Sequence, residues 1–183
     1  LLERFLRYVK IDTESVPDVE QFPSSDKQKK LLKLLLDELK AMGVACRMDG
    51  KYGYVYASIP ANTKGKYKLG LIAHVDTSSA VSGRDVKPII TENYDGKDIL
   101  LAQGRVLSPN EFAELSCHVG KTIISSDGTT LLGADDKAGI AEILTVAEEL
   151  LNGEMPHGKI CIGFTPDEEI ARGSEHFDVE GFG

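Results

Sequence analysis

The chain has 183 residues, of which 42% are hydrophobic and 27% are charged, and a chain of this length and composition can fold around its own core. Its formal net charge is −8, and a negatively charged nucleic-acid backbone would repel it, so no nucleic acid is expected as a partner. Three cysteines without a CxxC pair, no secretory signal and no apolar run of about 18 residues predict a cytoplasmic protein that does not enter a membrane.

The N-terminal part of the chain is predicted to contain two amphipathic helices. Apolar residues at helical spacing predict a short helix over residues 1–9, and two prolines mark residues 13–23 as a loop. A second helix follows, with Ser24 or Ser25 as its N-cap and Gly43 at its end.

The middle of the chain is predicted to contain strands. Residues 54–59 are rich in β-forming residues, and residues 68–75 form a nearly continuous apolar run, which is typical of a strand buried on both faces. The long region that follows is irregular. Within it, a capping-box pattern beginning at Ser108 predicts a helix, and residues 122–125 are predicted to form a short strand.

A long helix and a second buried strand are predicted further along. Apolar residues from Ala138 to Leu151 recur at helical spacing and predict the helix, and residues 159–164 predict the strand. Because strands alternate with helices, the sequence predicts an α/β layered fold with a mostly parallel sheet.

Two groups of candidate metal ligands lie where a strand ends and where a helix begins. His74 and Asp76 close the apolar run and point to the same side of an extended chain, so that the carboxylate can orient a metal-binding histidine. Asp135 and Asp136 open the long helix, where a divalent cation would relieve the repulsion between adjacent acids. The alternatives are a strand-end histidine capped by a neighbouring acid, and acids that favour the positive end of a helix dipole.

A third group follows the strand of residues 159–164. Asp167, Glu168 and Glu169 are consecutive acids, which can divide metal binding and proton transfer among themselves. A solvated acidic loop is the alternative. Together the three groups predict a site with imidazole and carboxylate ligands and no thiolate, a set that suits zinc, cobalt or manganese.

Three motifs carry a resemblance to a known family. HVDTS, GADDKAG and TPDEE occur in this order, and the opening LLERFLRYV and the tail HFDVEGF extend the likeness over essentially the whole chain. The chain resembles the peptidase T family of cytoplasmic aminotripeptidases, which belongs to the co-catalytic zinc metallopeptidases. The resemblance implies a three-layer α/β sandwich, a two-zinc site, and hydrolysis of the N-terminal residue from short peptides such as tripeptides.

The resemblance also implies a role for each candidate residue. His74 would bind one zinc ion, Glu169 would bind the second, and Asp135 would bridge the two. Glu168 would be the general base that takes a proton from the bridging water, and Asp76 would orient His74.

By the same resemblance, residues 1–183 correspond to the N-terminal part of a catalytic domain, so that the sandwich is incomplete at its C-terminal end. A further zinc-binding aspartate, a distant histidine and the lid or dimerisation domain of the family have no counterpart in the chain. A homodimer is therefore an expectation for the full-length protein. The resemblance further implies a cis peptide bond between Asp135 and Asp136.

Two other interpretations compete with this one. The segment from Ser125 to Thr130 resembles the D-x-D-G-T loop of haloacid-dehalogenase-type phosphatases, but Ser125 stands where their nucleophilic aspartate is required. The second alternative is a non-catalytic fragment or folding unit of a zinc peptidase, which is expected to be inactive by itself.

Overall fold

The computed structural model describes residues 1–64 and 67–183. The α-helices in this part of the chain are α1 (Leu2–Tyr8), α2 (Lys27–Ala41), α3 (Ala134–Asn152) and α4 (Val179–Phe182). The strands are β1 (Ala45–Met48), β2 (Val55–Ile59), β3 (Lys68–His74), β4 (Pro88–Thr91), β5 (Ile99–Leu100), β6 (Val106–Leu107), β7 (Ile123–Ser126) and β8 (Lys159–Thr165). Short 3₁₀-helices are formed by Ala102–Gly104, Ala113–His118 and Glu168–Ile170. Among the described residues, no helix has the length and apolar character needed to cross a membrane.

The central sheet has four strands in the order β1-β2-β8-β3. Strands β1 and β2 pair antiparallel, as do β2 and β8, whereas β3 and β8 are parallel. His74 is the register partner of Thr165, so β3 and β8 end side by side. The segments that follow these two strands therefore leave the sheet side by side at the carboxyl ends of the strands, where the functional sites of open α/β sheets are found. Two small antiparallel pairs, β4 with β7 and β5 with β6, lie outside this sheet.

Helices α1, α2 and α3 cover one face of the sheet. Every second residue of β2 faces them, because side chains alternate between the two faces of a strand. Helices α2 and α3 each contribute an apolar stripe at helical spacing to the same core. The fully buried members of these stripes are Leu31, Leu32, Leu35, Leu39, Ile140, Ala141 and Leu144.

The C-terminal segment covers the other face with aromatic rings. The ring centroids of Phe177 and Phe182 are 5.1 Å apart, and both rings contact Tyr56 of β2. Gly163 in β8 makes room for them, since an added Cβ there would lie 3.2 Å from the nearest atom of either phenylalanine. The described chain is thus a layered α/β structure with helices on both faces of a mixed sheet, as the sequence predicts.

The environment of β3 differs from the prediction. Parallel pairing in the described residues is limited to β3 and β8, and β3 lies at the edge of the sheet rather than between two neighbours. The side chains of Leu69 and Ile72 are accordingly 54% and 53% exposed, and only the end of the strand, at Ala73 and His74, is buried. An apolar run indicates what a strand can pack against, but it does not establish that a neighbour is present.

Two predicted helix starts are also wrong. Helix α2 begins at Lys27, because the hydroxyls of Ser24 and Ser25 donate to Asp167 and to the Glu14 carbonyl instead of capping the helix. The capping-box pattern at Ser108 forms a turn followed by the 3₁₀-helix Ala113–His118. The Ser108 hydroxyl donates to the Asp98 carboxylate and accepts from the Asn110 backbone N–H, so that local turn contacts replace a helix cap.

Candidate metal centre

His74 is held at the end of β3 with one ring nitrogen toward Asp76 and the other toward Asp135 at the start of α3. The side chain is buried, with 8% of the residue exposed. Nδ1 lies 3.0 Å from the backbone oxygen of Asp76 and 3.3 Å from its carboxylate. Nε2 lies 2.9 Å from a carboxylate oxygen of Asp135 and 3.8 Å from one of Glu168. The contacts to Asp76 fix the ring orientation, and Nε2 is the nitrogen that faces the acidic cluster.

Asp76 links the ends of β3 and β8. Asp76 is fully buried. One of its carboxylate oxygens accepts a hydrogen bond from the Glu168 backbone N–H at 2.9 Å, and the other accepts one from the Glu169 backbone N–H at 3.1 Å. One carboxylate therefore positions the His74 ring and also holds the turn that carries the two glutamates. The prediction assigned it only the first of these contacts.

The N-terminal end of α3 presents Asp135 toward His74. Gly133 adopts a left-handed conformation with φ of 76°, and the peptide bond between Asp135 and Asp136 is cis, as the resemblance implies. The side chain of Asp135 is 84% exposed, whereas Asp136 turns back and accepts the Gly139 N–H at 3.2 Å. Of these adjacent acids, Asp135 faces the cluster, and Asp136 accepts a hydrogen bond in the first turn of its own helix.

The structure brings three predicted ligands together. His74, Asp135 and Glu169 each offer a donor atom, and these atoms lie within 4.8 Å of one another. One imidazole nitrogen and two carboxylate oxygens form a donor set that suits a divalent transition-metal ion. The carboxylate of Glu168 reaches the same cluster and its side chain is 60% exposed. Their assignment as ligands and base stays a prediction.

The pKa values of the cluster reflect burial first and the charges around each group second, and for His74 the combined effect of its acidic neighbours outweighs burial. Burial alone would lower the pKa of His74, but hydrogen bonds and charge from Asp76 and then Asp135 outweigh burial and raise it to about 9. Burial raises the pKa of Glu169, and the neighbouring carboxylates add to this effect. Burial likewise raises the pKa of Asp136. The carboxylates stand in an environment that a cation would relieve, which agrees with the donor chemistry.

Two buried charged residues beside the cluster, Lys137 and Asp167, have no individual role assigned from the sequence. Lys137 is 1% exposed and its Nζ donates to the Ile11 carbonyl at 2.7 Å. Burial lowers its pKa to about 8. Asp167 is fully buried and accepts hydrogen bonds from Ser24 and Gln28. Both lie within the quoted motifs, but their partners are more than 120 positions away, and nothing in the local pattern identifies them.

Solved structures share this fold with metal-dependent peptidases. An M20-family metallo-carboxypeptidase from Sulfolobus solfataricus superposes with a TM-score of 0.53 over 93% of this chain and 31% of its own, at 16% identity, which shows a common fold. A tripeptidase from Staphylococcus aureus is more similar, with a TM-score of 0.68 and 26% identity over 98% of this chain and 39% of its own. An aminopeptidase from Bacillus cereus superposes with a TM-score of 0.67 and 25% identity, again over 98% of this chain and 39% of its own. The class that these last two structures indicate is the peptidases.

Curated relatives of the chain include peptidase T from several bacteria. The chain is 52% identical to peptidase T of Halothermothrix orenii over 187 aligned positions, which cover all of this chain and 46% of that protein. It is 55% identical to peptidase T of Clostridium perfringens over 99% of this chain and 45% of that protein. The resemblance to peptidase T is therefore confirmed along the whole chain, which spans slightly less than half the length of these relatives. A scan against protein-family models gives no match.

Proposed function

We propose that the chain carries the first part of the active site of a metal-dependent aminopeptidase that removes the N-terminal residue from short peptides, tripeptides in particular. The observation that carries the proposal is the convergence of His74, Asp135 and Glu169 within 4.8 Å, in a chain more than 50% identical to peptidase T throughout. In this proposal residues 1–183 form the N-terminal part of a catalytic domain. The remaining ligands and a lid or dimerisation domain would belong to a protein of the relatives' full length.

The residues of the cluster would hold two zinc ions. His74 and Glu169 would each bind one ion, and Asp135, whose exposed carboxylate lies within 4.8 Å of the donor atoms of both, would bridge the pair. Zinc ions so held lower the pKa of a bound water and polarise a peptide carbonyl. His74 ends β3, Glu169 lies in the turn after the adjacent parallel strand β8, and Asp135 is at the start of α3, so the sheet and α3 together set the spacing of the three residues.

Glu168 would act as the general base. Its carboxylate is exposed and lies 3.8 Å from His74 Nε2, so it reaches the space between the ligands without being enclosed among them. It would take a proton from the attacking water and return it to the leaving amine. Asp76 would keep His74 and the Glu168 backbone in place during these transfers, because it accepts hydrogen bonds from the glutamate turn and contacts the histidine ring.

The expected substrates are short peptides with a free N-terminus in the cytoplasm. No nucleic-acid or membrane partner is expected, and the full-length protein is expected to form a homodimer.

The test uses a protein of the relatives' full length, loaded with zinc, and compares a tripeptide with the same peptide acetylated at its N-terminus. Release of the first residue from the free tripeptide alone supports the proposal. Equal cleavage of both peptides, or hydrolysis of a phosphate ester without peptide cleavage, would refute it.

The non-catalytic folding unit remains the alternative for the 183-residue chain itself. The observation that favours it is the exposure of Leu69 and Ile72 on the edge strand β3, next to the candidate site. The two interpretations are compatible, because a folding unit can carry some of the ligands of a site that only a longer chain completes.

A further inference from the structure

The turn that carries Glu168 and Glu169 is anchored by Asp167, a buried acid that the proposed chemistry does not use. Asp167 directly precedes the turn and is fully buried. One of its carboxylate oxygens accepts from the Ser24 backbone N–H at 2.7 Å, and the other accepts from the Ser24 hydroxyl at 2.5 Å and from the Gln28 side-chain amide at 2.6 Å. The Asp167 N–H donates in return to the Gln28 side-chain oxygen at 3.1 Å.

The backbone at Asp167 needs this support. Its φ of 58° is in the left-handed region, which costs energy for residues other than glycine and persists where surrounding contacts determine it. This conformation turns the chain sharply at the end of β8, and the backbone then forms hydrogen bonds from Ala171 to Glu168 and from Arg172 to Asp167. The direction in which both glutamates leave the sheet is therefore set at Asp167.

Contacts on the other sides of the turn add to the same effect. Asp76 accepts the N–H groups of Glu168 and Glu169, and Gly173 packs so closely that an added Cβ would lie 3.1 Å from the Glu168 Cα. Whereas Asp76 ties the turn to the end of β3, Asp167 ties it to the segment that leads into α2 and to Gln28 in its first turn. The start of α2 thereby becomes part of the support of the candidate site.

We propose that Asp167 is a positioning residue: its buried carboxylate locks the Glu168–Glu169 turn to Ser24 and Gln28, and so fixes where the two glutamates meet His74 and Asp135. The geometric part of this inference is independent of catalysis, while its consequence for metal affinity rests on the proposed function. Outer contacts of this kind commonly change metal affinity by about 10–100-fold.

Asp167→Asn is the informative variant. Asparagine tolerates the left-handed conformation and keeps the size of the side chain. In the wild type, three donors bind the two carboxylate oxygens of Asp167, whereas asparagine offers them only one oxygen. We expect hydrogen exchange of the Glu168 and Glu169 amides, measured by NMR on the metal-free chain, to accelerate at least about tenfold. The apparent Kd for cobalt(II) alone, measured by absorbance, should rise by about tenfold or more.

The controls separate positioning from a general loss of stability. Leu39→Ala lies on the same helix about 16 Å along its axis from Gln28 and should destabilise the chain without a selective effect on the two amides. Asp167→Asn/Gln28→Glu exchanges donor and acceptor between the partners and should restore slow exchange. Ser24→Ala removes the hydroxyl that donates to Asp167 and accepts from Val16 and Gln28, but it keeps the Ser24 backbone N–H and Gln28 as donors to Asp167, and it is the second variant should Asp167→Asn fold poorly.

Selective acceleration at Glu168 and Glu169, reversed in the double variant, supports the inference. Exchange that is unchanged in Asp167→Asn and Ser24→Ala, or accelerated uniformly as in Leu39→Ala, overturns it. A wild-type chain that fails to bind cobalt(II) at any concentration would count against the proposed function instead, and the exchange measurements would still decide the role of Asp167.

Discussion

The three consecutive acids after β8 have three different environments. Asp167 is fully buried in hydrogen bonds, Glu168 is largely exposed, and Glu169 is within 4.8 Å of both other candidate ligands. A run that looks uniform in sequence therefore divides into a buried acid that anchors the turn, an exposed acid, and a candidate ligand. Periodicity and composition cannot make this division, because it depends on which distant residues surround each carboxylate.

This division predicts opposite effects for two neighbouring substitutions in a zinc-loaded protein of the relatives' full length. Glu168→Ala should reduce turnover by about 10²–10⁴-fold and leave the zinc content nearly unchanged, since it removes a base. Glu169→Ala should lose zinc, because it removes a ligand. Atomic emission gives the metal content and a tripeptide assay gives the turnover. Equal metal loss in both variants would contradict the assigned roles.

His74 predicts a pH dependence of stability for the metal-free chain. Its pKa is raised from 6.5 to about 9, so the folded state binds the proton more tightly than the unfolded state does. The resulting stabilisation, at most about 3 kcal/mol, is fully present below about pH 6.5 and is lost as the pH rises through about 9. Urea unfolding in the presence of a chelator, at about pH 6 and about pH 10, measures this loss.

His74→Gln should remove this component of the pH dependence, whereas His118→Gln, at an exposed histidine outside the cluster, should leave it in place. If wild type and His74→Gln lose the same stability between the two pH values, the proton on His74 does not stabilise the fold.

At the scale of elements, the site depends on the parallel register of β3 and β8. The pairing of His74 with Thr165 brings residues from the HVDTS and TPDEE motifs to the same edge, although 91 positions separate the two partners in sequence. The apolar character of both strands and the position of acids at their ends were predictable from sequence. The neighbour order and the edge position of β3 were not, because they follow from which strands the rest of the chain supplies.

The aromatic layer on the opposite face was likewise not predictable from periodicity. Phe177 and Phe182 lie in a polar, glycine-containing tail, and their packing depends on the missing side chain of Gly163. Gly163→Ala should displace both rings and lower the free energy of unfolding by about 1–3 kcal/mol. Urea unfolding measures the effect.

The matched control for this change is Gly50→Ala, where no atom of the described residues lies within 4 Å of an added Cβ. It should change stability by no more than about 0.5 kcal/mol. A similar small change in both variants would show that the rings adjust without cost and that the glycine is not needed for packing.

For the molecule as a whole, the sheet and the site show the same kind of incompleteness. Strand β3 ends at a candidate ligand, yet its apolar residues Leu69 and Ile72 are exposed along the sheet edge in the part of the chain that the structure describes. In the proposed two-zinc site, His74 and Asp135 would hold one ion, and Asp135 and Glu169 would hold the other. Open catalytic zinc sites normally use three protein ligands per ion.

This count leads to a prediction for the 183-residue chain by itself. With two protein ligands per ion, and with the charges of Asp136, Asp167 and Glu168 close by, it should bind zinc weakly and should not hydrolyse a tripeptide. The carboxylates would still attract the ion, so a weak binding signal that disappears in Glu169→Ala is expected in isothermal titration. A protein of the relatives' full length, which is more than twice as long, should bind two ions tightly under the same conditions. Tight binding of two zinc ions by the 183-residue chain, or measurable turnover by it, would show that the ligand set is larger than the three residues that converge at the ends of β3 and β8.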